Sequence, residues 1–487
     1  MVFSSNIFLL YFLPLFLLCY FVCPSRFRNL VVLLFSVVFY AYGGPDFVLI
    51  LIGSTVATYF VVKAMCRTGK PKRKKLFCAL AIILNLGLLV YYKYAGFLMS
   101  NLNALFEHFG SEHLSPLTSH LSSIVLPIGI SFFTFQSLTY VLDTYRGQVK
   151  PMDKLTDYMV YIMMFPQLIA GPIVRYGDVE QQLRHRESPF PERLQGFYRF
   201  VIGLSKKVLI ADVIAVEADA CFGADLTTLN SGTAWIGMLA YTMQLYFDFS
   251  GYSDMAIGLG RIMGFKFPEN FDNPYVSKSV TEFWRRWHMT LGTFIKNYLY
   301  IPLGGNRKGI ARTYLNLWLC FLLSGLWHGA SWTFVLWGAY HGLFIVIEKL
   351  WKVKGERLKV KDNLRRTRPF TFHLSIFTFL IVNLGWVLFR ADDIQQAFAY
   401  YKALFSFRFD GFAFDAGSQF YTVLILALAF SFLTLFPFGR KLEQWVYYHN
   451  YDAKGHVFVW IVAMLLLFTC IAALNATGFS PFIYFRF

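Results

Sequence analysis

Charge is scarce in this chain, and acid scarcer than base. Only 15% of its 487 residues are charged, with 28 Asp plus Glu against 45 Lys plus Arg. So little charge beside 56% hydrophobic and 19% aromatic residues excludes a soluble globular protein of this length and reads as an all-α polytopic membrane protein. Cysteine is sparse and unpatterned. The seven residues Cys19, Cys23, Cys66, Cys78, Cys221, Cys320 and Cys470 are odd in number and show no metal-ligand spacing, so they read as small buried hydrophobes, without disulfide or zinc. No Gly/Ser-rich or Pro-rich linker and no fixed-period repeat divides the chain, which favours one integral membrane domain over 1–487. The first apolar stretch lacks both a basic leader and a small-residue cleavage site, and Pro24-Ser-Arg-Phe-Arg28 follows it directly, so it is expected to stay as an anchor.

Long hydrophobic stretches are present almost throughout, from 6–23 and 29–43 to 419–437 and 456–475. Each compares with the roughly 20 residues that cross a bilayer, and charge interrupts several, so about eleven spans plus re-entrant helices are expected. The net charge of +17 collects in short loops, which favours topology over nucleic acid as its explanation. Arg67 to Lys75 and Lys352 to Arg368 are densely basic, whereas Asn101 to Ser123 contains no Lys or Arg. The positive-inside rule puts the first two in the cytoplasm, the third outside, and the N-terminus outside.

The stretch from about 126 to 342 differs from its flanks, its apolar runs carrying Gln, Asp, Arg, His and Trp. Polar groups at membrane depth survive only against protein or water, so the chemistry belongs there. His328 lies in Leu323-Ser-Gly-Leu-Trp-His-Gly-Ala-Ser-Trp332. A lone histidine ordinarily bonds a neighbouring helix, but Gly325 and Gly329 allow close approach and Trp327 and Trp332 are placed to wall an apolar channel, so catalysis stands beside the structural reading. Ser279 and Glu282 form a capping-box pattern opening an expected amphipathic cytoplasmic helix that contains Trp284, Arg285, Arg286, Trp287, His288 and Lys296, with Trp284, His288 and Leu291 on one face. His341 reads as structural or supporting. Gln244 to Asp254 puts Asp248 and Asp254 in a span, where each carboxylate needs Arg, Tyr or backbone donors; a structural network competes there with catalysis. The loop Gly304 to Gly309 lacks the strand context of a phosphate-binding P-loop.

Leu126 to Gln136, Gln244 to Asp254, Phe283-Trp-Arg-Arg-Trp-His288, Leu303 to Arg307, Gly325-Leu-Trp-His-Gly329 and Trp386 to Asp392 occur in one order. In that order the chain resembles the membrane-bound O-acyltransferase family, and within it the bacterial branch that O-acetylates exported polysaccharide such as alginate. The resemblance implies a ring of tilted helices around a thin centre crossed by a tunnel, in a bacterial inner membrane. It matches His328 to the family's near-invariant histidine and His288 to its second active-site position. It further implies acetyl-CoA, or an acyl carrier protein, as cytoplasmic donor, no permanently bound cofactor, and a periplasmic partner that passes acetyl to alginate, another exopolysaccharide or peptidoglycan. On this reading His328 acts as general base or transient acetyl carrier while His288 positions or protonates the leaving thiolate. Gln244, Asp248, Asp254, Trp327 and His341 support the site. Arg285, Arg286, Lys296, Arg307 and Lys308 would form a cationic approach for the phosphates of CoA, or serve only to orient the chain. The rival from another class is a proton-coupled transporter or flippase relaying through His328 and Asp248, against which stands the lack of paired inverted halves.

Overall fold

A computed structural model describes residues 1–109, 121, 124–359, 369–409, 416–478 and 481–483, with only the backbone described for 352–359, 369–373 and 477. Much of the loop expected outside, 110–120 and 122–123, and residues 360–368 of the second basic segment lie outside the described residues. Among those described, every regular element is helical apart from an isolated antiparallel bridge between Phe271 and Trp287. Six helices are long and apolar enough to cross a bilayer: Ser25–Gly43, Pro45–Arg67, Pro71–His108, Trp332–Trp351, Ser418–Leu435 and Ala453–Ala476. Phe8–Val22 and Leu374–Arg390 are shorter apolar helices.

The chain divides into two compact units. The first, Met1–Phe197 with Ala256–Pro268, is organised around aromatic rings. Phe165 sits 5.4 Å from Phe12, 5.1 Å from Phe16 and 5.4 Å from Phe39 between ring centroids, and its backbone N–H donates to Ser36 Oγ at 3.0 Å. Such ring pairs contribute roughly 0.5–1.5 kcal/mol each beyond burial. Gly129 (φ 75°) starts the helix Ile130–Arg146 where a Cβ would stand 2.6 Å from the Leu168 carbonyl, so glycine is required by both conformation and space. Arg186 ties the end of this unit together, donating to Tyr20 Oη, Asn29 Oδ1 and the Met263 carbonyl.

The second unit, Tyr198–Met255 with Glu269–Phe487, holds every titratable residue singled out from the sequence as a site candidate. Its frame is a helical hairpin, Ile310–His328 and Trp332–Lys359, joined by Gly329-Ala-Ser331. A Cβ on Gly325 would meet the Phe334 carbonyl at 2.2 Å, and one on Gly338 the Phe321 carbonyl at 2.4 Å. These glycines let the two backbones touch, the small-residue packing that membrane helices use in place of hydrophobic force. Of the seven cysteines four are buried, but Cys66 is exposed and Cys19 and Cys23 are partly so, which corrects the expectation that all are buried.

Candidate active site

Half of the expected capping box forms: Ser279 Oγ accepts from Glu282 N at 3.1 Å, but the Glu282 carboxylate reaches back one residue further and accepts from Lys278 N at 3.1 Å instead of from Ser279 N. Glu348, from the second hairpin helix, adds a carboxylate that accepts from Val280 N, from Thr281 N at 3.0 Å and from Thr281 Oγ1 at 2.7 Å. Negative charge at orphan N–H groups holds the start of Val280–Arg286 in place.

That helix does not continue through His288, and the expected common face of Trp284, His288 and Leu291 is corrected. The bridge of Phe271 to Trp287 draws the chain into extended backbone, with Asp272 N donating to Arg286 O and Met289 N to Asn270 O. His288 then turns left-handed, φ 46° and ψ 53°, before a second helix, Met289–Ile295. For a non-glycine residue that conformation costs on the order of 1–3 kcal/mol and tends to persist where function requires it. Here it takes the imidazole off the helix face and into the interior, where it is 1% exposed.

His328 ends the first hairpin helix, 3% exposed. Its ring lies 6.5 Å from that of His288, with Trp327 near both, at 4.9 Å from His328 and 6.0 Å from His288. Trp337 at 5.1 Å and Phe389 at 5.2 Å enclose His328 further. Trp332, expected as a wall, is instead 51% exposed. Phe249 stands edge-on to His288 at 4.8 Å. His341 is packed between Trp284 and Trp337, at 5.0 and 5.2 Å, and shares the Trp337 ring with His328.

The carboxylates of the polar span have partners of their own. Asp248 is bound by Lys207 Nζ at 2.9 Å and by the Ile483 backbone N–H at 2.7 Å. Asp254 takes Arg199 and Lys206, each at 2.7 Å, while Arg199 also holds Glu269. Both carboxylates are paired, as burial requires, but the donors include two lysines from the π-helical turn Lys206–Ala211. Gln244 is buried, and its Oε1 finds no hydrogen-bond partner among the described residues. Of the cations, Arg286 is engaged by Asp272 at 3.0 Å and Glu282 at 3.1 Å. Arg285, Lys296, Arg307 and Lys308 are exposed.

A buried, enclosed pair of imidazoles, one on each of two glycine-packed or strained segments, can shuttle a proton in acyl transfer. The model of the membrane-bound O-acyltransferase family matches residues 108–389, more than half of the chain and both histidines. The chain belongs to that family. This O-acyltransferase, a multi-pass membrane protein, is 42% identical over 506 residues, the whole of both chains, to a Pseudomonas putida protein named "Probable alginate O-acetylase AlgI". It is 37% identical to the peptidoglycan O-acetyltransferase of Helicobacter pylori, over 83% of this chain and 80% of that one. With the teichoic acid D-alanyltransferase of Bacillus subtilis it shares 29% identity over 52% of this chain and 68% of the other.

Four residues that contact these groups were not singled out from the sequence: Asn270, Lys207, Trp337 and Phe389. Lys206-Lys207 was detectable, as two ionisable side chains inside the apolar run 196–221. Asn270 gave no signal, because it contacts His288 from an irregular segment with no periodicity to read.

Proposed function

We propose that this O-acyltransferase moves acetyl from a cytoplasmic thioester, acetyl-CoA first and an acyl carrier protein second, to a hydroxyl on the far side of the inner membrane. The end acceptor is an exported polysaccharide, an alginate-like chain first and peptidoglycan second, reached through a periplasmic partner protein. The names of the relatives support that order of acceptors. About eleven spans in a single integral domain, with the N-terminus outside, would surround a tunnel that brings donor and acceptor together. Arg285, Lys296, Arg307 and Lys308, with Arg286 beside them in sequence, would receive the phosphates of CoA.

The observation that carries the reading is the buried pair of rings, His288 and His328, 6.5 Å apart behind Trp327, Trp337 and Phe389. His328 acts as general base toward the hydroxyl or carries the acetyl transiently. His288 orients the thioester or returns the proton to the leaving sulfur. The transporter reading would need Asp248 as a mobile proton site, and Lys207 already engages it. The test is release of CoA from labelled acetyl-CoA by the purified full-length protein in lipid nanodiscs, with the periplasmic partner and an alginate oligosaccharide supplied as acceptor. His328→Ala should lower turnover by about 100-fold or more. Full turnover by that variant would overturn the assignment.

A further inference from the structure

We propose that Asn270 is a positioning residue of the transfer reaction, holding His288 in the tautomer that carries its proton on Nδ1 and presents an unprotonated Nε2 to the reacting groups. The inference rests on the acyl-transfer reading and adds the direction in which the proton moves.

The chemistry of the amide decides the tautomer. Asn270 Oδ1 lies 3.4 Å from the Thr290 backbone nitrogen and 2.9 Å from Thr290 Oγ1. A backbone N–H only donates, so the atom facing it is the carbonyl oxygen and not the amide nitrogen. The amide nitrogen is used on the other side, donating to Ser253 Oγ at 3.1 Å. The same oxygen stands 3.0 Å from His288 Nδ1, and an acceptor there requires Nδ1 to carry hydrogen. A neutral imidazole has one N–H, so Nε2 is a lone pair. That atom is buried and has no hydrogen-bond partner among the described residues. The Asn270 main chain fixes the relation as well, its carbonyl accepting from Met289 N at 3.0 Å, so side chain and backbone bracket the left-handed residue.

The consequence is a proton balance. As the hydroxyl oxygen bonds the acetyl carbon and the carbon–sulfur bond breaks, one proton must pass from hydroxyl to thiolate. With its Nδ1–H tied to Asn270, His288 has no proton of its own on Nε2. It takes up the hydroxyl's proton, directly or by way of His328, before it delivers one to sulfur. A neutral amide suits this role, because it sets the tautomer without the charge that would hold the imidazolium and keep the proton from moving on.

The test combines nitrogen-15 NMR of histidine-labelled full-length protein in nanodiscs with kcat and KM for acetyl-CoA. His288 is assigned by loss of its signals in His288→Ala. It should show hydrogen on Nδ1 and a bare Nε2. Asn270→Leu should lose this preference and lower kcat by about 100-fold, with KM changed by less than about 3-fold. Asn270→Asp still accepts from Nδ1–H, so it should keep the tautomer and recover kcat to within about 10-fold of wild type. Its carboxylate stabilises the imidazolium, so the acid limb of the kcat profile should move to higher pH. A wild-type His288 protonated at Nε2 overturns the proposal, as does equal loss of kcat in folded Asn270→Leu and Asn270→Asp. Should Asn270→Leu fail to fold, wild type and Asn270→Asp still decide. Should wild type leave acetyl-CoA intact when the periplasmic partner and an alginate oligosaccharide are supplied, the acyl-transfer reading falls while the NMR still decides the tautomer.

Discussion

At the scale of single residues, the polar groups of this acyltransferase fall into two sets with different surroundings. His288 and His328 face each other behind aromatic rings, whereas Asp248 and Asp254 are neutralised by Lys207, Lys206 and Arg199. Lys207 is 3% exposed and bridges Asp248 and Asp212, so removing it takes the cation away from the buried Asp248 carboxylate. Lys207→Met is expected to destabilise the protein by about 3–5 kcal/mol, read as a lowered thermal midpoint in nanodiscs. Adding Asp248→Asn should recover part of that loss, because one stranded charge is gone. A Lys207→Met protein as stable as wild type would show that water already reaches the pair. The sequence made the histidines and aspartates legible, since an ionisable group in an apolar run stands out by its cost. It hid the pairings, because which donor meets which carboxylate or imidazole is set by folding alone.

At the scale of elements, two devices place the histidines, and each was partly written in the chain. Gly325 and Gly329 announced close helix approach, and the hairpin packs through Gly325 and Gly338. Gly325→Ala would put a methyl 2.2 Å from the Phe334 carbonyl, so the helices must part and His328 must shift against Trp337. The expected cost is about 1–3 kcal/mol, with a clear loss of turnover on acetyl-CoA. Gly53→Ala, in the span Pro45–Arg67, is the control, because a Cβ there meets nothing within 4 Å. Equal behaviour of the two variants in thermal stability and turnover would contradict the role given to hairpin packing. The second device, the break at His288, was legible only at its start. The Ser279 cap marks where the helix begins, but nothing local says that Phe271 will pair with Trp287 and end it. A pairing between residues distant in sequence overrides the local helical pattern.

At the scale of the whole molecule, composition sufficed for the class. Scarce charge and recurrent apolar runs implied an all-helical membrane protein, and ordered motifs implied the family that the comparison bears out. The number of spans was harder to read, because the central helices carry the polar residues of the site and so lose the plain hydropathy of Pro71–His108 or Ala453–Ala476. Acyl transfer across a membrane makes one demand of the intact protein, that donor and product lie on opposite sides of the bilayer. The most direct measurement encloses an alginate oligosaccharide and the periplasmic partner in proteoliposomes of uniform orientation and supplies labelled acetyl-CoA to the cytoplasmic face. Labelled ester inside, lost in His328→Ala and independent of a proton gradient, is the result expected. Labelled ester confined to the donor side, or gradient-driven passage of uncleaved acetyl-CoA into the lumen, would contradict it.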